Sequence, residues 1–100
     1  MSLPENVPAA VWEDWATRND AVILDVRDPH EWELGTLPGS TLLRMGELAD
    51  RLDELDRNRA VLCVCRSGAR SGQVAAFLAA QGFDTVANMV GGVKALGMQD

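Results

Sequence analysis

The residues that can do chemistry lie together in Cys65-Arg66-Ser67-Gly68-Ala69-Arg70-Ser71, a thiol followed by two arginines, two hydroxyls and a glycine. Ahead of them, Val61-Leu62-Cys63-Val64 is a short, continuously apolar run of the kind found in strands buried on both faces. From Ser71 onward, Val74, Phe77, Leu78 and Gln81 among alanines predict a helix closed by Gly82 at its C-cap. The loop thus joins the carboxyl end of a strand to the amino end of a helix, where open α/β sheets bind ligands. A free thiol titrates near a pKa of about 8.5, so little of it is thiolate at neutral pH. The positive end of the helix, the N–H groups of the loop and the charges of Arg66 and Arg70 would all lower that value. A shift of about two units amounts to about 2.7 kcal/mol, within reach of several hydrogen bonds to one anion. Gly68 permits the left-handed turn that aims successive N–H groups at the sulfur. Ser67 and Ser71 add hydroxyls or cap the helix, and either arginine could hold an oxyanion leaving group.

Loop length separates two chemistries. Cysteine-dependent phosphatases place an arginine six positions after the cysteine, whereas here Arg70 stands five positions on and the sixth is Ser71. A nest one residue tighter suits a thiolate or persulfide better than a phosphoryl group. His30, the only histidine, lies in another loop, so no general acid is at hand, and thiolate attack on a sulfur–sulfur bond needs none. A phosphatase or arsenate-reducing enzyme using the same thiolate is the alternative that this count disfavours. Cys63 reads as a core thiol, because neighbours at that spacing in a strand are poorly placed for a disulfide.

The elements that must position the loop follow from the pattern on either side. Residues 1–8 read as a lead-in with at most a minor strand at Asn6-Val7, and Pro8 opens a helix running to about Arg18. Residues 21–26 form a second apolar strand run that ends in Asp25-Val26-Arg27-Asp28-Pro29. Asp25 and Arg27 then lie beside the Cys65 strand, either as hydrogen-bonding supports of the active loop or as a surface ion pair. Asp28 caps a short helix with Pro29 first and Glu31 third, a capping-box pattern. Thr41-Leu42-Leu43 predicts a short strand, residues 45–55 a helix with Leu48, Leu52 and Leu55 buried, residues 85–89 a last strand, and residues 93–96 a final helical turn. Strands alternating with helices at this pace predict one α/β domain over residues 1–100, a small central parallel sheet of about five strands with helices on both faces.

Composition narrows the partners. A net charge of -6 from 15 acids against 9 bases argues against nucleic acid or an anionic membrane, and no apolar run approaches the roughly 20 residues of a membrane span. Two cysteines at this spacing provide neither a disulfide scaffold nor a zinc site. No metal or cofactor is expected. With an acidic, proline-containing start and no secretory pattern, the expected compartment is a reducing cytoplasm.

Four ordered stretches carry a resemblance to the rhodanese family of sulfurtransferases. Residues 24–32 (LDVRDPHEW) resemble its first motif, residues 35–40 (GTLPGS) its G-H-I-P-G-A segment, residues 65–71 its C-R-S-G-x-R-S loop, and residues 88–92 (NMVGG) its last motif. Thr36 stands where the histidine is usual, and Leu96 where an aromatic follows the double glycine. The resemblance implies a parallel-sheet fold and a reaction in which Cys65 takes a sulfane sulfur from thiosulfate or a similar small donor, bound by residues 66–71. The resulting persulfide passes its sulfur to cyanide, to a thiol acceptor or to a sulfur-accepting protein. An idle rhodanese-like module that only binds a partner protein is a further alternative, but such modules usually lack the cysteine, which is present here.

Overall fold

The apolar run ahead of Cys65 becomes the middle strand of the sheet. In a computed structural model that describes residues 3–98, strands β1 (Glu5–Pro8), β2 (Val22–Asp25), β3 (Thr41–Leu42), β4 (Val61–Val64) and β5 (Val86–Val90) lie side by side in the order β1-β5-β4-β2-β3. All four pairings are parallel, and every residue of β4 is buried, as a continuously apolar strand between two neighbours requires. Period-2 alternation then divides its side chains. Leu62 and Val64 join one core with Trp15, Ala16 and Val93, whereas Val61, Cys63 and Cys65 join the opposite core with Val74, Ala75 and Leu78.

Helix α1 (Trp12–Asn19) covers the first face and α3 (Ala69–Ala80) the second. The small residues Ala75 and Ala79 on the buried side of α3 let it approach the sheet closely. A third, single-turn helix, α2 (Pro29–Trp32), carries the expected capping box between Asp28 and Glu31. Leu34 lies beyond its end and is exposed.

Two segments depart from expectation. The lead-in is a full edge strand: β1 pairs with β5 from Glu5↔Ala87 to Pro8↔Val90, and the edge position tolerates a proline. Residues 45–55 form two 3-10 segments, Met45–Glu47 and Ala49–Glu54, with a break at Arg51 (φ -119°, ψ 18°), rather than one α-helix. Their ion pairs, Arg44–Glu47 at 2.6 Å and Arg51–Glu54 at 2.8 Å, are spaced i,i+3, the spacing that eclipses in a 3-10 turn. Leu48 is buried nonetheless, with Leu52 and Leu55 packed against the α3-side core. Of the two readings of Asp25 and Arg27, the surface ion pair is excluded: both are fully buried, with Arg27 Nη2 2.8 Å from Asp25 Oδ2.

That pair ties the carboxyl ends of the strands to the segment after them. Arg27 Nε also donates to Asp25 Oδ1 at 3.0 Å, Nη2 reaches the Gly35 carbonyl at 2.7 Å, and Nη1 the Glu31 carbonyl at 3.4 Å. Removing one member of a buried pair strands the other charge, at a cost of about 3–5 kcal/mol. Arg27→Met is expected to lose about that much stability in urea denaturation; an unchanged midpoint and slope would contradict this role for the pair.

Candidate active site

Cys65 follows directly on β4, and strand alternation turns its side chain to the α3 face. The chain then bends through Arg66 and Ser67 to Gly68, whose φ of +101° is left-handed. Glycine is favoured there by that φ, which L side chains rarely adopt, while a Cβ would meet the Met89 carbonyl and the Gly91 nitrogen at ordinary contact distance, 3.4 Å. Helix α3 starts at the next residue, so its first N–H groups have no partner within the helix. The Cys65 sulfur fills that vacancy. Gly68 N–H donates to Sγ at 3.1 Å, Ser71 N–H at 3.3 Å, and the Ser71 hydroxyl lies 3.2 Å away. No side chain caps α3; the sulfur stands in the place of a cap.

Burial of the sulfur raises the Cys65 pKa, but the Ser71 hydroxyl and the N–H groups of Ser71, Gly68 and Ser67 outweigh it and leave the thiol below its ordinary value. Cys63, two residues earlier on the same face, has no such donors: burial, with the Cys65 charge beside it, pushes its pKa far up. Both cysteines are free. Cys65 is only 1% exposed, so the thiol lies at the floor of the loop rather than at its tip.

The loop is braced from behind and from the side. From behind, Val93 N–H donates to the Cys65 carbonyl and Lys94 N–H to the Arg66 carbonyl, each at 3.0 Å. Gly92 makes this approach possible, since a Cβ there would collide with the Arg66 carbonyl and come within 2.6 Å of the Cys65 oxygen. From the side, Arg70 makes a two-pronged contact with Glu31, Nη1 to Oε1 at 2.7 Å and Nη2 to Oε2 at 2.8 Å, with Asp28 at 3.9 Å. The Glu31 contact, above all, raises the Arg70 pKa. Arg66 is half-buried, whereas Ser67 and Ala69 are exposed.

The structure brings Gly68 and Ser71 onto the Cys65 sulfur and turns Arg70 to Glu31, with Ser67 and Ala69 on the exposed side of the loop. Asp25 and Arg27 reach the loop through α2, holding the Glu31 backbone while the Glu31 side chain holds Arg70. His30 is exposed on α2. Two participants are not marked by their local sequence: Glu31 reads as a helix cap and Asn88 as part of a motif, yet Glu31 grips Arg70, and Asn88 accepts from the Ser71 hydroxyl at 2.6 Å and donates to the Gly68 carbonyl at 3.2 Å. Among the described residues no group of three or more histidine, cysteine or acidic side chains could hold a metal ion, and no helix is long and apolar enough to cross a membrane.

Comparison with known proteins agrees with this geometry. The model of the rhodanese-like domain matches residues 8–99. A putative sulfurtransferase of Bacillus subtilis, YtwF, is 35% identical over 95 residues, covering 95% of this chain and 91% of its own. The thiosulfate sulfurtransferase GlpE of Pseudoalteromonas translucida is 36% identical over 78 residues, 78% of this chain and 74% of that one. Among solved structures, a rhodanese-like domain protein from Staphylococcus aureus superposes with a TM-score of 0.82 at 27% identity, covering 91% of this chain and 89% of that one. The chain belongs to the rhodanese-like domain family, and its similarity to named sulfurtransferases supports a sulfurtransferase role.

Proposed function

We propose that the protein is a thiosulfate sulfurtransferase that works through a persulfide on Cys65. The observation that carries this reading is the ring of donors around Sγ, Gly68 N–H, Ser71 N–H and the Ser71 hydroxyl, all within 3.3 Å. The Cys65 thiolate attacks the outer sulfur of thiosulfate. The sulfur–sulfur bond breaks, sulfite leaves with its electron pair, and Cys65 keeps the sulfur as a persulfide. An acceptor thiolate, or cyanide, then attacks the terminal sulfur and Cys65 departs as thiolate. The donors that stabilise the attacking anion thus also stabilise the leaving one.

Residues 66–71 form the donor site in this scheme. Because Cys65 is at the floor of the loop, a donor must present one terminal atom to it end-on, which suits thiosulfate or a persulfide. The phosphatase alternative needs an arginine turned onto a bound phosphate, and Arg70 is committed to Glu31. We assign Arg70 to holding the loop's shape, and Arg66 with the loop N–H groups to the anionic leaving group. Asp25 and Arg27 support the loop through Glu31. Small sulfur donors and thiols are the proposed partners, with a sulfur-accepting protein as a further one. Two free thiols fit a reducing compartment, and we propose the cytoplasm.

Thiosulfate treatment should add one sulfur atom to the intact mass, removable by cyanide or dithiothreitol and absent in Cys65→Ser. No adduct, together with turnover of a phosphate ester, would sink the proposal. Because the Cys65 pKa is lowered, thiocyanate formation should hold its plateau below the ordinary thiol range of about 8.5 and decline only as pH falls through the lowered value. A decline beginning at the ordinary thiol value would refute the cradle's effect. Arg66→Ala should raise the KM for thiosulfate by about tenfold, the worth of one charge-assisted hydrogen bond, whereas Arg70→Ala and Glu31→Gln should mainly lower kcat, and by similar factors. The reverse split would exchange the two arginines' roles.

A further inference from the structure

The Ser71 hydroxyl has one proton to donate and two acceptors in reach. Asn88 Oδ1 lies at 2.6 Å and Cys65 Sγ at 3.2 Å. The amide orientation at Asn88 is set independently, because Nδ2 donates to the Gly68 carbonyl at 3.2 Å and the reversed amide would oppose two acceptor oxygens. Asn88 sits in β5, which pairs with β4 at Cys63↔Asn88, and Gly72 leaves it room, since a Cβ there would stand 3.3 Å from Nδ2. The amide is thus locked with its oxygen toward Ser71.

We propose that Asn88 is a positioning residue that competes with Cys65 for the Ser71 proton and so holds the thiolate population below what the cradle alone would set. With the thiol neutral, the Ser71 hydroxyl donates to Asn88 Oδ1 and its oxygen turns a lone pair to the Cys65 S–H. On ionisation the hydroxyl rotates to the sulfur anion, and Asn88 Oδ1 loses its partner. Each ionisation therefore breaks one short hydrogen bond as it makes another. The restraint has a chemical use: nucleophilicity falls with thiol pKa, and attack is fastest when that value lies near ambient pH.

The titratable and charged groups around the loop are the neutral thiol of Cys63 on β4, Arg66 and Arg70 in the loop and α3, Asp25 and Arg27 at the end of β2, Asp28 and Glu31 at α2, and Lys94 in the last turn. Strand β5 itself carries no titratable side chain. An exchange of Asn88 for a neutral residue leaves all of these in place. The inference rests on Cys65 being the reacting thiol, as proposed above, but not on the identity of the sulfur donor.

The test is the pH dependence of iodoacetamide alkylation at Cys65, with the adduct located by fragment-ion mass spectrometry, in the parent, Asn88→Leu, Ser71→Ala and the double variant. Asn88→Leu keeps the side-chain shape and should lower the midpoint by about one unit, the scale of one hydrogen bond to a charged group. In the Ser71→Ala background the same exchange removes only the contact to the Gly68 carbonyl and should not lower the midpoint. A midpoint unchanged or raised by Asn88→Leu, or lowered equally without the Ser71 hydroxyl, would overturn the proposal. Should Asn88→Leu fail to fold, the Asn88 side-chain amide of the unmutated protein, followed by 15N NMR, should titrate with the alkylation midpoint; a flat signal through that range overturns it. Because alkylation needs no sulfur donor, a lowered midpoint in a protein that forms no persulfide would uphold the inference and reject only the thiosulfate reaction.

Discussion

A sulfur anion at the floor of a loop is stable only if fixed donors replace the water it has lost, and the architecture around Cys65 is organised by that requirement. Burial drives a thiol toward neutrality, as at Cys63 on the same face, where the Cys65 charge adds to the effect. Two residues further on the strand has ended, and a helix begins at Ala69. The orphan N–H groups that every helix start must place somewhere are placed on Sγ. The two cysteines differ in their donors: the Cys65 sulfur accepts from Gly68 and Ser71, and those contacts together offset its desolvation.

Donors help only if they do not move, and the bracing explains why distant segments converge here. The C-terminal turn holds the Cys65 and Arg66 carbonyls, Asn88 holds the Gly68 carbonyl, and Glu31 holds Arg70. Glu31 is in turn oriented by its cap on Asp28 and by Arg27 on its backbone. The buried Asp25–Arg27 pair is costly in isolation, but it sits where β2 gives way to the segment that must grip the loop. It locks one arrangement of that segment against the sheet.

What could be read from the sequence was local. The middle strand, the glycine turn, the helix after it and the capping box at Asp28 each rest on neighbouring residues, and periodicity or cap chemistry reports them directly. The contacts between segments could not be read that way. Arg70 and Glu31 are 39 residues apart, and Asn88 is 17 from Ser71 and 20 from Gly68. Only the parallel order β5-β4-β2 brings them together, and an arginine in a loop looks the same whether it faces a ligand or a carboxylate. Residues 45–55 misled for a different reason. Their leucine spacing suits an α-helix, but the i,i+3 ion pairs suit a 3-10 turn, and the leucines reach the same core either way.

Charge closes the argument. The chain carries a net charge of -6, and Arg70 is neutralised by Glu31, so net positive charge is a poor account of how an anion would be held. The attraction comes largely from neutral dipoles, the N–H groups of Ser67, Gly68 and Ser71, fixed at short range in a site that excludes water. Such dipoles act strongly at contact and weakly at a distance, and mobile salt screens them little compared with exposed charges. A cradle of that kind favours a small anionic atom that can enter it completely. A terminal sulfur fits this description better than a bulky oxyanion.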